Sequence, residues 1–479
     1  MCEKIAVSVI APDRGSSDAI ASPGSSSQTR RARSAAATFS RPRVLASLSL
    51  VLSATVLFTL GSCVSFSWNA LLLRKQLELH LNDLGKFYYD ARAFAEGRPM
   101  YEPSPATDIP LSESTSKQLL NLNPPHMHLV LLPFVSLVPQ TMLVLWLLSG
   151  LGCLVAVVYK SLQAAGSTVR LRRLLWYGLA VTLSAAFGSI MLTGQITMHM
   201  LPLIMWAWLA ARRLRWNQVA IALGLGISIK PFLLIFVPWL AIRGRVSAAC
   251  LSLIVCSLCF AVGVAVFGVD NHAAWLAAIG AIDWHYMPLN ASLQAFLGRA
   301  LQETFYFEPV VDMPQARFML WFGGSTLIGL ASLSVAILDR SPEAADRTFC
   351  ILLLAALLMC PLGWVYYLLL ALPSAIGLLS RGNHGHRSDF SIRKRGRTTC
   401  LVALASGCAL IFVPTVFVMS GQPSGLLTIS LGSAHFWAVF LCWVATCLDG
   451  LISLNGQGLR LWDVMRVGSA PAKRLPAFS

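Results

Sequence analysis

RRLRWNQVAIALGLGISIKPFLLIFVPWLAIRGR, residues 212–245, decides the fold. Its apolar interior, about 217–242, is long enough to cross a hydrocarbon core of about 30 Å once. Yet Arg212, Arg213 and Arg215 precede it, and Arg243 and Arg245 follow it. Cations collect on the cytoplasmic side of a membrane protein, so both ends belong on one side and the segment must enter and return. Lys230-Pro231 stands near its middle, and proline breaks a helix there. The segment therefore reads as two short helices with a turn at Lys230. A second stretch, 348–380, has the same design, running from Arg347 to Arg381 with a break at Pro361-Leu-Gly363.

Outward from these hairpins, apolar runs near 44–66, 141–159, 174–193, 196–211, 246–268, 316–337, 399–419 and 434–454 each approach one membrane thickness. The chain is thus expected to be an all-α polytopic membrane protein with about twelve membrane-entering helices, several short or broken, and both termini cytoplasmic. Composition agrees: 56% of the 479 residues are apolar and 12% charged, about half the roughly 25% charged of soluble domains. Mean hydropathy is +0.66. A net charge of +16 would suggest nucleic acid as partner of a soluble domain. Here the charges sort by side instead: 28 of the 37 Lys and Arg fall in the termini and loops assigned to the cytoplasm, and 12 of the 21 acids in two outer loops, 67–125 and 269–315. Reading both broken segments as single crossings would put Arg243 and Arg245 outside and the acid-rich 269–315 inside. The lipid bilayer, not nucleic acid, is the expected partner.

The domain reading is a disordered cytoplasmic tail at 1–43, a polytopic domain at 44–455 and a cytoplasmic tail at 456–479. The twelve cysteines lie almost entirely within apolar runs, which argues against a disulfide framework. No clustered ligand spacing argues for a metal, and no cofactor is expected.

Ionisable residues at membrane depth are candidate functional residues, and Lys230, at a hairpin tip on the acid-rich face, is one; snorkelling to the interface is its structural alternative. The first outer loop opens with WNALLLRKQLELHLNDLGKFYYDARAFAEGRPMYEP, 68–103, whose leucines suit a helix along the membrane surface. Asp83 and Asp90 are seven apart and share a helix face. A carboxylate there can serve as general base toward a hydroxyl, or Asn82 or Asp83 can simply cap the helix beginning near Leu84. Asn123-Pro-Pro-His126 precedes an interrupted, re-entrant or interfacial run. Gly194 lets the chain at Gln195 approach a neighbour closely. In the second loop, Asn290, Ser292 and Gln294 alternate with apolar residues, and Arg299 is a cation among acids. Either a phosphate or a salt bridge to Glu303 or Asp312 accounts for it. Asn290-Ala-Ser292 also fits a glycosylation sequon.

In order, an outer-loop Asp, Tyr-Tyr, Gly-x-Pro-x-Tyr, Pro-Pro before an interrupted run, Gly-Gln at a turn, Lys-Pro at a hairpin tip, Asn-x-Ser-Leu with a following Arg, and Pro-Leu-x-Trp resemble glycosyltransferase family 87. The resemblance spans roughly residues 50–380. It implies a GT-C-like bundle of the polyprenol-phosphate-mannose-dependent α-mannosyltransferase type. It further implies an inverting single displacement that moves a hexose, mannose first, from a polyprenyl phosphate donor to a lipid or glycan acceptor outside the cytoplasm. On that resemblance Asp83 is the base, Lys230 and Arg299 hold the donor phosphate, and Asp90, Gln195, Asn290 and Ser292 position substrate. Tyr88, Tyr89, Trp364 and Tyr366 line the sugar or polyprenyl site. The chain departs from the family at Ala291, where glutamine is frequent, and at Tyr366, where a histidine is frequent. A flippase for a lipid-linked sugar, or a catalytically degenerate scaffold subunit, are the rival readings; the flippase plan lacks the expected hydropathy repeat. A bacterial inner membrane is the expected location.

Overall fold

The computed structural model describes residues 83–110, 116–166, 171–304, 306–341, 343–381, 392–413 and 424–456. The expected first span at 44–66 and both tails, at 1–43 and 457–479, lie outside the described residues. Apart from a minute antiparallel hairpin, β1 (Asp108–Pro110) with β2 (Ser116–Gln118), regular structure among the described residues is helical. In chain order the helices are α1 (Asp83–Ala95), α2 (Pro139–Ala164), α3 (Leu171–Thr182), α4 (Ala185–Thr193), α5 (Thr197–Arg212), α6 (Trp216–Ile229) and α7 (Phe236–Ile242). There follow α8 (Val246–Gly280), α9 (Leu293–Leu301), α10 (Ala316–Leu338), α11 (Ala344–Met359), α12 (Leu372–Arg381), α13 (Ile392–Ile411) and α14 (Ala434–Gly456).

Four helical runs, α2, α8, α10 and the one ending in α14, are long and apolar enough to cross a membrane, and the bent pair α3–α4 makes a fifth. Their outward faces carry exposed Val144, Leu148, Leu253, Ile254, Leu258, Phe318, Met319 and Phe322. Only 17% of the most apolar window of α8 is buried inside the protein. In a soluble protein such a face would forfeit its hydrophobic stabilisation; hydrocarbon removes the cost. The interior helices behave oppositely: every residue of α11 from Asp346 to Leu358 is buried.

Both broken segments double back. The rings of Trp216 and Trp239, near the two ends of the first, lie 6.0 Å apart, and Arg245 sits 5.0 Å over the Trp216 ring. α6 ends at Ile229, Lys230 is extended, and a 3-10 turn, Pro231–Ile235, leads into α7. In the second, Cys350 near the start of α11 meets Ser374 in α12 at 3.2 Å, and a 3-10 segment, Val365–Ala371, joins them. The two tips touch through Phe232 and Tyr367, with ring centroids 4.9 Å apart.

One expectation is corrected. The run at 174–193 is not one straight helix but bends by 66° between α3 and α4, because the Ser184 hydroxyl accepts from Phe187 N–H at 3.2 Å and starts a new helix. The run 246–268 ends at a break at Gly268, whose φ is 81°, and the stretch after it is helical to Gly280. The leucine-rich start of 68–103, on which the surface-helix expectation rests, lies outside the described residues; within the described part, α1 buries Leu84, Phe87, Tyr88 and Ala91 in the main core.

At the end opposite the tips, charges fasten the helices together. Arg347 pairs with Asp339 and, at 2.8 Å, with Asp449 of α14. Arg212 faces Asp346 at 3.6 Å, and Trp208 Nε1 donates to that carboxylate at 2.8 Å. Arg243 donates to the carbonyls of Ile337 and Asp339 at 2.9 and 3.2 Å.

Candidate functional site

Asp83 opens α1, where a carboxylate is favoured by the helix dipole, and it meets the turn between α4 and α5. That turn is made by Gly194, with φ 66°. A Cβ at 194 would stand 2.6 Å from Leu84 Cβ, so glycine is what allows α1 to seat against it. The Gly194 carbonyl accepts from Trp146 Nε1 at 2.9 Å. The next residue, Gln195, is buried; its Nε2 donates to the Asp83 carboxylate and, at 2.9 Å, to the Tyr366 hydroxyl. Gln195 Oε1 is buried and has no hydrogen-bond partner among the described residues. Lys86, one turn along α1, donates to Asp83 at 3.2 Å. Three chain segments, α1, the α4–α5 turn and the second hairpin, thus meet around one carboxylate.

Lys230, at the neighbouring tip, donates to Asn123 Oδ1 at 2.7 Å, and its Nζ lies 5.3 Å over the Tyr367 ring. Asn123 in turn donates to Asn121 Oδ1 from its backbone N–H at 3.0 Å and from its side chain at 2.9 Å. Asn121 Nδ2 donates to Asp90 at 2.8 Å and stands 2.8 Å from His128 Nε2. Asp90 shares the inward face of α1 with Asp83, as their spacing requires. Burial pushes the Asp90 carboxyl up to about 7, against the opposing pull of the Asn121 amide, the Tyr101 backbone N–H and the Lys86 charge.

Other expected residues build the walls. Asn290 is fully buried, donates to the carbonyls of His285 and Pro361 at 2.7 Å each, and accepts from Ser292 N–H. A side chain so engaged is not an exposed acceptor for glycosylation. Ser292 caps α9, its Oγ accepting from Ala295 N–H at 3.1 Å. Ala291 N–H donates to Gly363 O and Val365 N–H to Leu289 O, so the loop is stitched to the tip of the second hairpin, where the 3-10 segment that carries Tyr366 begins. Arg299 is fully buried beneath this loop. It donates to the carbonyls of Tyr286, Met287 and Asn290 at 3.1–3.3 Å and to Ser433 Oγ at 3.1 Å. Its partners are carbonyls and a hydroxyl rather than Glu303 or Asp312. Trp364 stacks between Trp284, at 5.6 Å, and Tyr366, at 6.1 Å, forming an aromatic wall that ends at the Gln195 amide. Tyr88 donates to Leu137 O at 2.9 Å and packs edge-on against Tyr89.

The structure therefore gathers Asp83, Gln195 and Tyr366 in one network and places Lys230 beside it. Asn290, Ser292, Arg299 and Tyr88 hold the backbone around it. Sequence reading missed Lys86, Asn121 and Tyr367. Lys86 was visible as an i,i+3 partner of Asp83, whereas nothing local marks Asn121 among the polar residues of its loop. Among the described residues no three His, Cys, Asp or Glu side chains converge as a metal site.

The profile of glycosyltransferase family 87 matches residues 121–373, more than half of the chain. No curated protein and no solved structure matches it.

Proposed function

The chain belongs to glycosyltransferase family 87, a family of membrane glycosyltransferases, and on that premise we propose that it moves a hexose, mannose first, from a polyprenyl phosphate to a lipid or glycan acceptor at the extracytoplasmic face. The observation that carries this reading is the convergence on Asp83. A carboxylate fixed by Gln195 and Lys86 lies at the meeting of both hairpin tips, and Lys230 is the cation beside it.

In the proposed step Asp83 takes the proton of the acceptor hydroxyl as its oxygen bonds to the anomeric carbon. The carbon–oxygen bond to phosphate breaks from the opposite side, its electron pair leaving with the polyprenyl phosphate, and the configuration inverts. A phosphate leaves without protonation but needs its charge stabilised, which is the role of Lys230. Gln195 Oε1, buried without a partner among the described residues, is placed to accept from a hydroxyl of sugar or acceptor. Arg299, Asn290 and Ser292 act on the donor by fixing the loop and the hairpin tip that bears Tyr366 and Trp364. Tyr366 stands where the family often has a histidine; its hydroxyl belongs to the Asp83 network, which favours an enzyme over a degenerate scaffold. The side is supported by helix direction. α5 and the first hairpin run between the site and Arg212, Arg213, Arg215, Arg243 and Arg245, cations that belong in the cytoplasm of an inner-membrane protein.

Membrane vesicles given labelled polyprenyl-phosphate mannose test the reading. The wild type transfers label and Asp83→Asn does not; no transfer by the wild type, or unchanged transfer by the variant, overturns it.

A further inference from the structure

Lys230, Asn123, Asn121 and Asp90 form an unbroken line of side chains with hydrogen bonds of 2.7, 2.9 and 2.8 Å. The direction of every bond follows from chemistry alone. An ammonium only donates, so Asn123 presents its oxygen to Lys230 and its NH2 to Asn121. Asn121 must then accept with its oxygen and turn its own NH2 to Asp90, and an ionised carboxylate only accepts. Both amide dipoles consequently point the same way, oxygen toward the cation and hydrogen toward the anion, and such aligned bonds polarise one another. Asp90, Asn121 and Asn123 are all buried, where a low dielectric strengthens this coupling. The line is further pinned by the Tyr101 hydroxyl, which donates to the Asn123 carbonyl at 2.6 Å.

We propose that Asn123 and Asn121 are positioning residues that couple the buried Asp90 carboxylate to the Lys230 ammonium and so hold that ammonium toward the phosphate of the donor. Asp90 then acts behind Lys230 and does not touch substrate. Among the described residues Lys230 is oriented by an amide oxygen rather than by a direct carboxylate, which would compete with phosphate for its charge. Inversely, a merely structural line would tie α1 to the loop at 121–123 and have no dependence on Lys230.

This inference rests on the reading of Lys230 as the phosphate-binding cation, and a double-mutant cycle separates the two. Binding of undecaprenyl phosphate to the full-length protein in lipid nanodiscs is measured for the wild type, Lys230→Met, Asn123→Ala and Asp90→Asn, and for the last two combined with Lys230→Met. A charge-assisted hydrogen bond lost from a phosphate site weakens binding about tenfold or more, and that is the loss expected for Lys230→Met. Asn123→Ala is expected to cost about fivefold and Asp90→Asn about threefold, each with Lys230 present. In the Lys230→Met background both are expected to change affinity by less than about twofold. Losses of the same size in both backgrounds, or no loss with Lys230 present, overturn the relay while leaving the phosphate reading intact. Unchanged binding by Lys230→Met overturns the phosphate reading and the relay with it. Asn121→Ala breaks the same line while leaving the Asn123 side chain itself unaltered and must repeat the pattern. Thermal unfolding of each variant identifies any whose loss is one of folding.

Discussion

The two ends of α5 and α11 treat charge in opposite ways. Each helix has 16 residues, about 24 Å at 1.5 Å per residue, with the Asp83 site at one end and the Arg347 cluster at the other. At the Arg347 end cation meets anion directly: Arg347 holds two carboxylates, and Arg212 faces Asp346. At the Asp83 end Lys230 touches an amide oxygen, Gln195 bridges a carboxylate to a phenol, and Gln195 Oε1 has no partner among the described residues. Charges that neutralise one another have nothing left for a ligand; they secure the helices. Lys230, engaged through an amide, keeps most of its field for whatever enters, and the direct ion pair at this end, Lys86 with Asp83, lies within α1 and fastens no second helix.

The comparison breaks if catalysis survives at the first end or stability survives at the second. Asp83→Asn keeps the shape and hydrogen-bonding reach of the side chain but removes its basicity. Transfer from polyprenyl-phosphate mannose is expected to fall by about 10²–10⁴-fold, the range of a general base, with the unfolding transition in detergent unchanged. Arg347→Met reverses the pattern. It strands the carboxylate of Asp339, fully buried, and removal of one partner of a buried pair costs about 3–5 kcal/mol. Thermal unfolding should show that loss, while turnover per folded molecule holds.

Asp90 gives the pH-dependent member of the set. Its carboxyl is raised by burial from 3.8 to about 7. A carboxyl whose pKa is higher in the folded chain than in the unfolded one binds its proton more tightly when folded. Its stabilisation is therefore complete below about pH 4 and is lost as pH rises to about 7. The loss is on the order of 4 kcal/mol at most. Asp90→Asn should flatten that slope in unfolding measured between pH 4 and 8; a slope unchanged by the substitution contradicts the assignment. The ionised form that destabilises the fold is the one that orients Lys230, so stability and donor affinity are expected to move oppositely across this window.

How far the sequence carried depends on whether a feature is local. The returning hairpins were legible because cations at both ends and a central proline leave one solution. Gly194 was legible as a close approach, though not that Leu84 is what approaches it. The partners of Arg299 within the protein, backbone carbonyls on Tyr286, Met287 and Asn290 and the Ser433 hydroxyl, were not legible, since carbonyls carry no residue-type signature. The helix that follows the break at Gly268 was illegible for a related reason, since glycine and Asp270 look like irregular chain, and only the burial of His272 and Trp275 ties that stretch to the rest. Asn121 stands 31 residues from Asp90, and Asn123 stands 107 from Lys230. No spacing rule reaches that far.

Gly194→Ala tests whether the carboxylate end depends on seating as well as charge. The left-handed conformation costs a β-carbon about 1–2 kcal/mol, and the added methyl would meet Leu84, the residue after Asp83. Transfer should fall about tenfold, chiefly in kcat, as the base moves relative to the tips; a variant with unaltered kcat would show that Asp83 is not positioned through this contact.

The smallest expected effect concerns Tyr366. Its hydroxyl accepts from Gln195 Nε2 at 2.9 Å, while the same nitrogen also serves Asp83. Tyr366→Phe leaves the ring stacked on Trp364 and removes one of two acceptors. Gln195 then keeps its bond to the carboxylate but gains freedom to turn. A net hydrogen bond of about 1 kcal/mol translates to a rate loss of about three- to tenfold, with unfolding unchanged. Tyr366→His sharpens the point, because an imidazole can accept from Gln195 and also exchange a proton, neither of which phenylalanine does. Transfer by the histidine variant at or above the wild-type rate would mean that the tyrosine serves as an acceptor that the family's histidine can replace. A loss as large as that of phenylalanine would mean that the length of the phenol, reaching across to the Gln195–Asp83 pair, is what this chain selected.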